Sequence, residues 1–99
     1  MALTLGRAYA AIELEVPLGR SARVRVLEDA GQPSVWPLDA FEIVSGRLPS
    51  NWHLSVTEAG DMVLGPASFL AQGFWSRYFD GDPSAQIEYE RELKESNER

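Results

Sequence analysis

The chain has 99 residues, which suits one domain and is too short for two independent cores. Hydrophobic residues make up 44% of it and aromatic residues 10%, so an ordinary globular core can form. The chain has no cysteine, which excludes disulfide bonds, thiolate metal sites and thiol nucleophiles. We therefore expect a single cysteine-free domain over residues 1–99.

The formal net charge is −6, and most of the acidity lies in the second half. Residues 1–50 hold five basic and six acidic side chains, whereas residues 51–99 hold four basic and nine acidic ones. A protein that binds duplex nucleic acid needs a basic face to displace counterions from phosphates, so no nucleic-acid partner is expected. The acidic half instead favours a basic protein partner.

No stretch reaches the roughly 20 apolar residues that a membrane-spanning helix needs. The opening segment "MALTLGRAYA" has an apolar run too short for a signal peptide, and Arg7 interrupts it. We expect a soluble cytoplasmic protein with no membrane partner.

Two segments near the N-terminus, "AAIELEV" and "ARVRVLE", alternate apolar and charged residues with the period of a β-strand. They predict an antiparallel hairpin around the loop 17–21. The expected apolar pairs are Ile12 with Val26, Leu14 with Val24, and Val16 with Ala22. The expected charged pairs, Glu13 with Arg25 and Glu15 with Arg23, form a solvated ladder on the outer face. A ligand-facing patch at Arg23 and Arg25 is the alternative.

Four further segments predict short strands. "SVWPL" is a short strand that its proline places at a sheet edge or ends, and "DAFEIVSGRLP" offers a possible strand through Phe41, Ile43 and Val44 up to Ser45-Gly46. "WHLSVT" and "MVLGP" predict a hairpin around residues 58–61, with Trp52, Leu54 and Val56 facing inward. The expected sheet is a small antiparallel meander or an SH3-like half-barrel over residues 8–65.

Two or three helices are expected over residues 66–96, packed on the sheet, which gives an α+β fold. Pro66 suits the first position of a helix that runs through "PASFLAQ" and stops at Gly73. The next helix, "FWSRYF", places its aromatic residues within an arc of about 140°, the width of a stripe that faces a core. A partner-binding surface is the alternative, because aromatic residues dominate interface hot spots. The four aromatic residues are Phe74, Trp75, Tyr78 and Phe79.

The segment "DGDP" indicates a helix boundary. Gly81 ends one helix, Asp82 caps the next, and Pro83 takes its first turn. A calcium loop that starts at Asp80 is excluded, because Ala85 and Arg91 occupy the positions that need glycine and glutamate. The last helix carries a thin apolar row of Ala85, Tyr89 and Leu93, with Ile87 beside it. No metal site is expected.

Catalytic motifs are missing from the sequence. His53 is the only histidine, and the strand pattern places it on the outer face. There is no nucleophile elbow, and "GDMVLGPAS" has proline where a phosphate-binding loop needs lysine. We expect a protein that is not an enzyme and uses no cofactor.

The sequence supports two functional hypotheses, and a third possibility is a self-associating structural protein, which would show an uncovered sheet edge or an aromatic patch on its surface. The first is a small acidic protein-binding module, of the kind used as an inhibitor, immunity protein or antitoxin, that occludes a basic surface of its partner. The second is an accessory ligand-binding or enzyme-associated domain, with an aromatic pocket between sheet and helices lined by Trp36, Trp52, Trp75 and Tyr78. The candidate partner-binding residues of the first are Asp80, Asp82, Glu88, Glu92, Glu95, Trp75 and Tyr78.

Overall fold

A five-stranded antiparallel sheet is followed by three helices that pack on it, so the expected α+β arrangement is confirmed. The computed structural model describes residues 3–44 and 47–97. The helices are α1 (Ala67–Leu70), α2 (Phe74–Phe79) and α3 (Pro83–Asn97). The strands are β1 (Ala11–Val16), β2 (Arg23–Leu27), β3 (Pro33–Pro37), β4 (Trp52–Val56) and β5 (Met62–Pro66).

The strands lie in the order β3-β2-β1-β5-β4, and every neighbouring pair is antiparallel. The first three strands follow one another across the sheet through short turns. The chain then crosses to the opposite edge, forms β4, and returns through a tight turn to place β5 beside β1. Strands β3 and β4 are therefore the two edges.

The register of the first hairpin is confirmed for its central pairs and wrong at one end. Glu13 lies opposite Arg25 and Glu15 opposite Arg23, as the alternation predicts. Val26, however, faces Ala11 and not Ile12, because β1 contains a bulge between Ala11 and Glu13. A bulge adds one residue to one strand and changes where the next side chains point. Here Ile12 belongs to the core beneath the helices.

The charged face of this hairpin is not a solvated ladder along its whole length. Glu13 is only 8% exposed and lies beneath α2 with Arg25. The outer pair is the exposed one, since the Arg23 and Glu15 side chains keep 46% and 35% of their surface. The helices thus cover the face that the pattern assigned to solvent.

The predicted strand through Phe41, Ile43 and Val44 is wrong. Pro37 ends β3, residues Leu38–Ala40 form a short 3₁₀ turn, and residues 41–44 adopt no regular structure. The Phe41 N–H donates to the Leu38 carbonyl and closes that turn. The predicted end of this strand, Ser45-Gly46, lies outside the described residues.

Helix α1 begins one residue later and ends sooner than expected. Pro66 is the last residue of β5, so the helix starts at Ala67 and spans only four residues. Gly73 has a left-handed φ of +80° and directly precedes α2. Gly81 has a φ of +85°, and Asp82 then caps α3 by accepting the Ser84 N–H at 3.0 Å, as predicted.

The core lies between the helices and the first strand. Phe69 of α1 and Phe74 of α2 are 2% and 1% exposed. The expected apolar row of α3 is confirmed, because Ala85 and Tyr89 are buried and Leu93 packs against them. The cluster consists of Ile12, Phe69, Phe74, Ala85 and Tyr89, with Leu27, Trp75, Tyr78 and Leu93 around it.

Candidate functional site

The aromatic residues of α2 belong mainly to the core. Phe74 is buried, and the centre of the Tyr78 ring lies 4.6 Å from the centre of the Tyr89 ring. Trp75 is half-buried, and the centre of its ring lies 4.9 Å from the centre of the Phe69 ring. Phe79 alone of the four is exposed, at 55%. The core-facing interpretation of this stripe therefore describes three of its four members.

Trp75 closes a charged network between α2 and the sheet. The Arg25 guanidinium lies 4.0 Å from the centre of the Trp75 ring, and its Nε donates to Glu13 Oε1 at 3.1 Å. The indole Nε1 donates to the other oxygen of the same carboxylate at 3.4 Å. A buried ion pair is tolerated when hydrogen bonds satisfy its remaining groups, and Trp75 supplies both a donor and a ring face.

The predicted pocket between sheet and helices does not have the expected lining. The cavity there measures about 250 Å³, and Trp75 is its only tryptophan wall among the described residues. Trp36 pairs with Val24 and Trp52 with Pro66, so both tryptophans point to the opposite face of the sheet. Side-chain alternation along the strands separates the three tryptophans.

The predicted acidic residues between α2 and α3 and along α3 have different roles. Asp80 and Glu95 are exposed. Asp82 accepts hydrogen bonds from the backbone N–H and from the hydroxyl of Ser84. These bonds lower the pKa of the Asp82 carboxyl. Arg77 lies between Asp82 and Glu88, with N–O distances of 3.4 and 3.9 Å. Asp82 and Glu88 therefore both face the guanidinium of Arg77 in the same chain.

Glu92 is a structural residue. It is 8% exposed, and its carboxylate accepts the Ser68 N–H at 3.2 Å and the Asn51 Nδ2 at 3.1 Å. The same amide also donates to the Glu92 carbonyl, and the Ser96 hydroxyl donates to Asn51 Oδ1. This network joins α3 to the start of α1 and to the residue before β4, so Glu92 does not contribute to an exposed acidic surface.

The opposite face of the sheet carries the alternating apolar side chains. Leu14, Leu64 and Leu54 form one cross-strand row, and Val16, Met62 and Val56 form the next. In these rows Leu54, Val56 and Met62 are 58%, 60% and 39% exposed, whereas Leu14, Val16 and Leu64 are half-buried.

A fourth apolar residue extends this area at one end of the sheet. Leu18 is 70% exposed, and its N–H donates to Asp61 Oδ1 at 2.7 Å beside the turn between β4 and β5. We call the set Leu18, Leu54, Val56 and Met62 the apolar sheet surface.

The other end of the same face lies beneath irregular segments. Residues 3–11, 38, 40–44 and 47–49 border a groove of about 1090 Å³ whose floor includes Val24 and Val26. Tyr9 and Phe41 meet edge to face across it, with ring centres 6.5 Å apart. Trp52 and Leu93 complete the wall, and most of the lining residues are apolar.

No protein-family model, curated protein or solved structure matches the chain. The functional assignment therefore depends on the site itself. Within residues 3–44 and 47–97, no group of three histidine, cysteine, aspartate or glutamate side chains could hold a metal ion. The described helices include none that is long and apolar enough to cross a membrane.

Sequence reasoning missed the apolar sheet surface, although its signal is present. Leu54 and Val56 alternate with His53 and Ser55, and that pattern predicts that Leu54 and Val56 face inward. The alternation identifies which residues share a face. It does not say which face the helices will cover, and here they cover the other one.

Proposed function

We propose that this protein is a small acidic protein-binding module that occludes a basic surface of a partner protein, as inhibitors, immunity proteins and antitoxins do. The single observation that carries the proposal is the apolar sheet surface. Isolated exposed apolar residues are normal, but a contiguous apolar patch on a regular element is typical of an interaction site. Burying it in a partner would contribute the apolar core that protein interfaces need.

The charge of the chain supports a basic partner. At −6, the protein attracts a basic surface over a distance of about one Debye length, roughly 8 Å at physiological ionic strength. Glu58 is exposed in the turn that borders the apolar sheet surface, and Asp61 lies in the same turn. Such charges at the rim increase the rate of encounter, while the apolar centre supplies most of the affinity.

The acidic residues between α2 and α3 and along α3 contribute less to the proposed contact than the sequence predicts. Asp80 and Glu95 remain available on the surface, and Glu88 is shared with Arg77. Three of the predicted contact residues instead make contacts within the fold: Glu92 and Trp75 form hydrogen bonds, and Tyr78 packs against the core. We assign the contact itself to the apolar sheet surface, and long-range attraction to the exposed carboxylates.

The test is capture of a partner from native lysate by the purified protein at low and at high salt, with bound proteins identified by mass spectrometry. Met62→Lys places a charge in the centre of the apolar sheet surface and should reduce capture about tenfold or more. Ile87→Lys is the matched control, because Ile87 is a 62% exposed apolar residue of α3 and the substitution changes the net charge equally.

Two results would contradict the proposal. One is capture that Met62→Lys and Ile87→Lys reduce to the same extent, since the effect would then come from net charge alone. The other is a bound partner whose capture does not weaken with added salt. Both variants should retain the unfolding midpoint of the wild type, since both side chains are exposed.

A second candidate function is the binding of an apolar small molecule, and the groove of about 1090 Å³ favours it. Ligand sites are usually concave, mainly apolar and about 300–1,000 Å³ in volume. A panel of apolar ligands can be screened by tryptophan fluorescence, because Trp52 forms part of the wall. A response that Trp52→Phe abolishes and Trp36→Phe retains would support the groove. A response that both variants retain would place the ligand elsewhere.

A further inference from the structure

The two edges of the sheet differ in how they are protected against pairing. Strand β3 begins and ends with proline, which lacks the N–H that a neighbouring strand would need. Strand β4 contains no proline and no charged residue, and its register with β5 is regular throughout. Natural edge strands are normally protected by charges, prolines or bulges, and β4 lacks all three.

The hydrogen-bond pattern shows which backbone groups of β4 point outward. The Thr57 N–H donates to the Asp61 carbonyl at 2.8 Å, so Thr57 bonds towards β5. Antiparallel bonding alternates along a strand, so Ser55 and His53 also bond towards β5. The N–H and C=O groups of Leu54 and Val56 therefore point away from the sheet. So does the Trp52 carbonyl, whereas the Trp52 N–H donates to Pro49.

We propose that two copies of this protein pair through β4, antiparallel, about a two-fold axis at Leu54. In this register the Leu54 N–H and C=O bond reciprocally to Leu54 of the second copy. The Val56 N–H bonds to the second copy's Trp52 carbonyl, and the symmetric bond forms on the other side. The two five-stranded sheets then become one continuous sheet.

The side chains of β4 are self-complementary in this register. Leu54 meets Leu54, and Trp52 meets Val56 of the second copy on the same apolar face. On the other face His53 meets Ser55. Pairs of an aromatic with a β-branched residue stabilise neighbouring strands, and no like charges oppose one another.

The two-fold axis also separates the acidic turns. Glu58 lies four residues beyond the axis, so the two copies of Glu58 are eight residues apart along the paired strands. At about 3.4 Å per residue this is about 27 Å, more than three times the Debye length of about 8 Å in physiological salt. The remaining repulsion comes from the net charge of −6 on each copy. Added salt screens it, so dimerisation should strengthen with salt.

Because the prolines of β3 block that edge of the sheet, the assembly stops at a dimer. Pairing of β4 with β3 would be a head-to-tail contact that could continue into a fibre. The prolines of β3 disfavour it, which leaves the β4–β4 contact as the symmetric solution. The dimer brings the two apolar sheet surfaces side by side. The inference does not depend on the proposed partner binding, and its salt dependence has the opposite sign.

Sedimentation velocity over a range of concentrations at low and high salt tests the proposal. The wild type should change from the mass of one chain, 11.0 kDa, to twice that mass as concentration rises. Leu54→Lys places like charges opposite each other at the axis and should raise the dimer Kd at least about tenfold. Met62→Lys is the matched control, since it adds the same charge to the same face on an interior strand and should leave the dimer intact.

Three results would overturn the proposal: a monomer at every concentration up to about 1 mM, a dimer that Leu54→Lys leaves unchanged, or a dimer that both variants abolish. Amide hydrogen exchange of the wild type provides a second measurement that needs no variant. The Leu54 and Val56 amides should become protected as concentration rises, while exchange of the Ser55 amide should change little. Exchange of Leu54 and Val56 that is independent of concentration would also overturn the proposal.

Discussion

Replacement of Glu92 by alanine tests the assignment of this residue to the fold. The substitution removes the acceptor of the Ser68 N–H and of one Asn51 amide bond, and both donors lie in partly buried surroundings. A hydrogen bond to a charged group contributes about 1.5–3 kcal/mol when its loss leaves a buried partner unpaired. Taking about 1.5 kcal/mol for each of the two bonds, we expect a loss of about 3 kcal/mol. In a domain of this size that corresponds to a decrease in Tm of about 12 °C or more.

Urea unfolding followed by tryptophan fluorescence measures this change, with Glu95→Ala as the matched control. Glu95 lies one turn further along α3 and is exposed, so its replacement should change the free energy of unfolding by less than about 0.5 kcal/mol. Glu92→Gln keeps the shape and one acceptor oxygen, and should fall between the wild type and Glu92→Ala. If Glu92→Ala and Glu95→Ala unfold at the same urea concentration, the network at Asn51 and Ser68 does not stabilise the fold and the reasoning is refuted.

Three further outcomes are expected. Tyr89→Phe should leave the free energy of unfolding unchanged or raise it by up to about 1 kcal/mol. The Tyr89 hydroxyl is buried without a hydrogen-bond partner in the described part of the chain, and burial raises its pKa. A clear decrease in the urea midpoint would show that the hydroxyl is bonded. Phe74→Ala should cost about 3–5 kcal/mol, whereas Phe79→Ala, at an exposed position, should cost less than about 1 kcal/mol; equal costs would contradict the described orientation of α2. Hydrogen bonds from Thr4 and Tyr9, with the charge of Arg7, lower the pKa of Asp29 below its ordinary value of 3.8. Because the folded-state pKa is the lower one, this stabilisation is complete above about pH 5 and is lost as the pH falls through the unfolded and then the folded pKa. Urea midpoints of Asp29→Asn should show a weaker dependence on pH in that range, and an unchanged dependence would count against these contacts.

Local physical chemistry, visible in the sequence, determined most of the strands and the boundary between α2 and α3. The alternation in β1 and β2 predicted the central pairs of the hairpin, because a slip of one residue would place charged side chains opposite apolar ones. Gly81, Asp82 and Pro83 predicted the boundary before α3, because each residue satisfies a conformational or hydrogen-bonding need of a helix end.

Only the tertiary structure decided which face of the sheet the helices cover. Alternation divides the side chains into two sets, and the hydrophobic effect favours the apolar set for the core. The helices cover the other set, because the β-bulge turns Ile12 into the core and Trp75 binds Glu13 and Arg25. Trp75 and Glu13 are 62 residues apart in the chain, so their contact leaves no periodic signal in the sequence.

The same limit applies to the acidic residues of α3. Helical spacing places Glu92 and Glu95 on the helix but does not show what lies beside each of them. Glu92 accepts hydrogen bonds from residues more than twenty positions away, whereas Glu95 remains exposed. The sequence by itself determined most of the elements and the charge of this protein. The packing of distant segments decided which charges are structural, and it left an apolar sheet surface and an unprotected edge strand exposed.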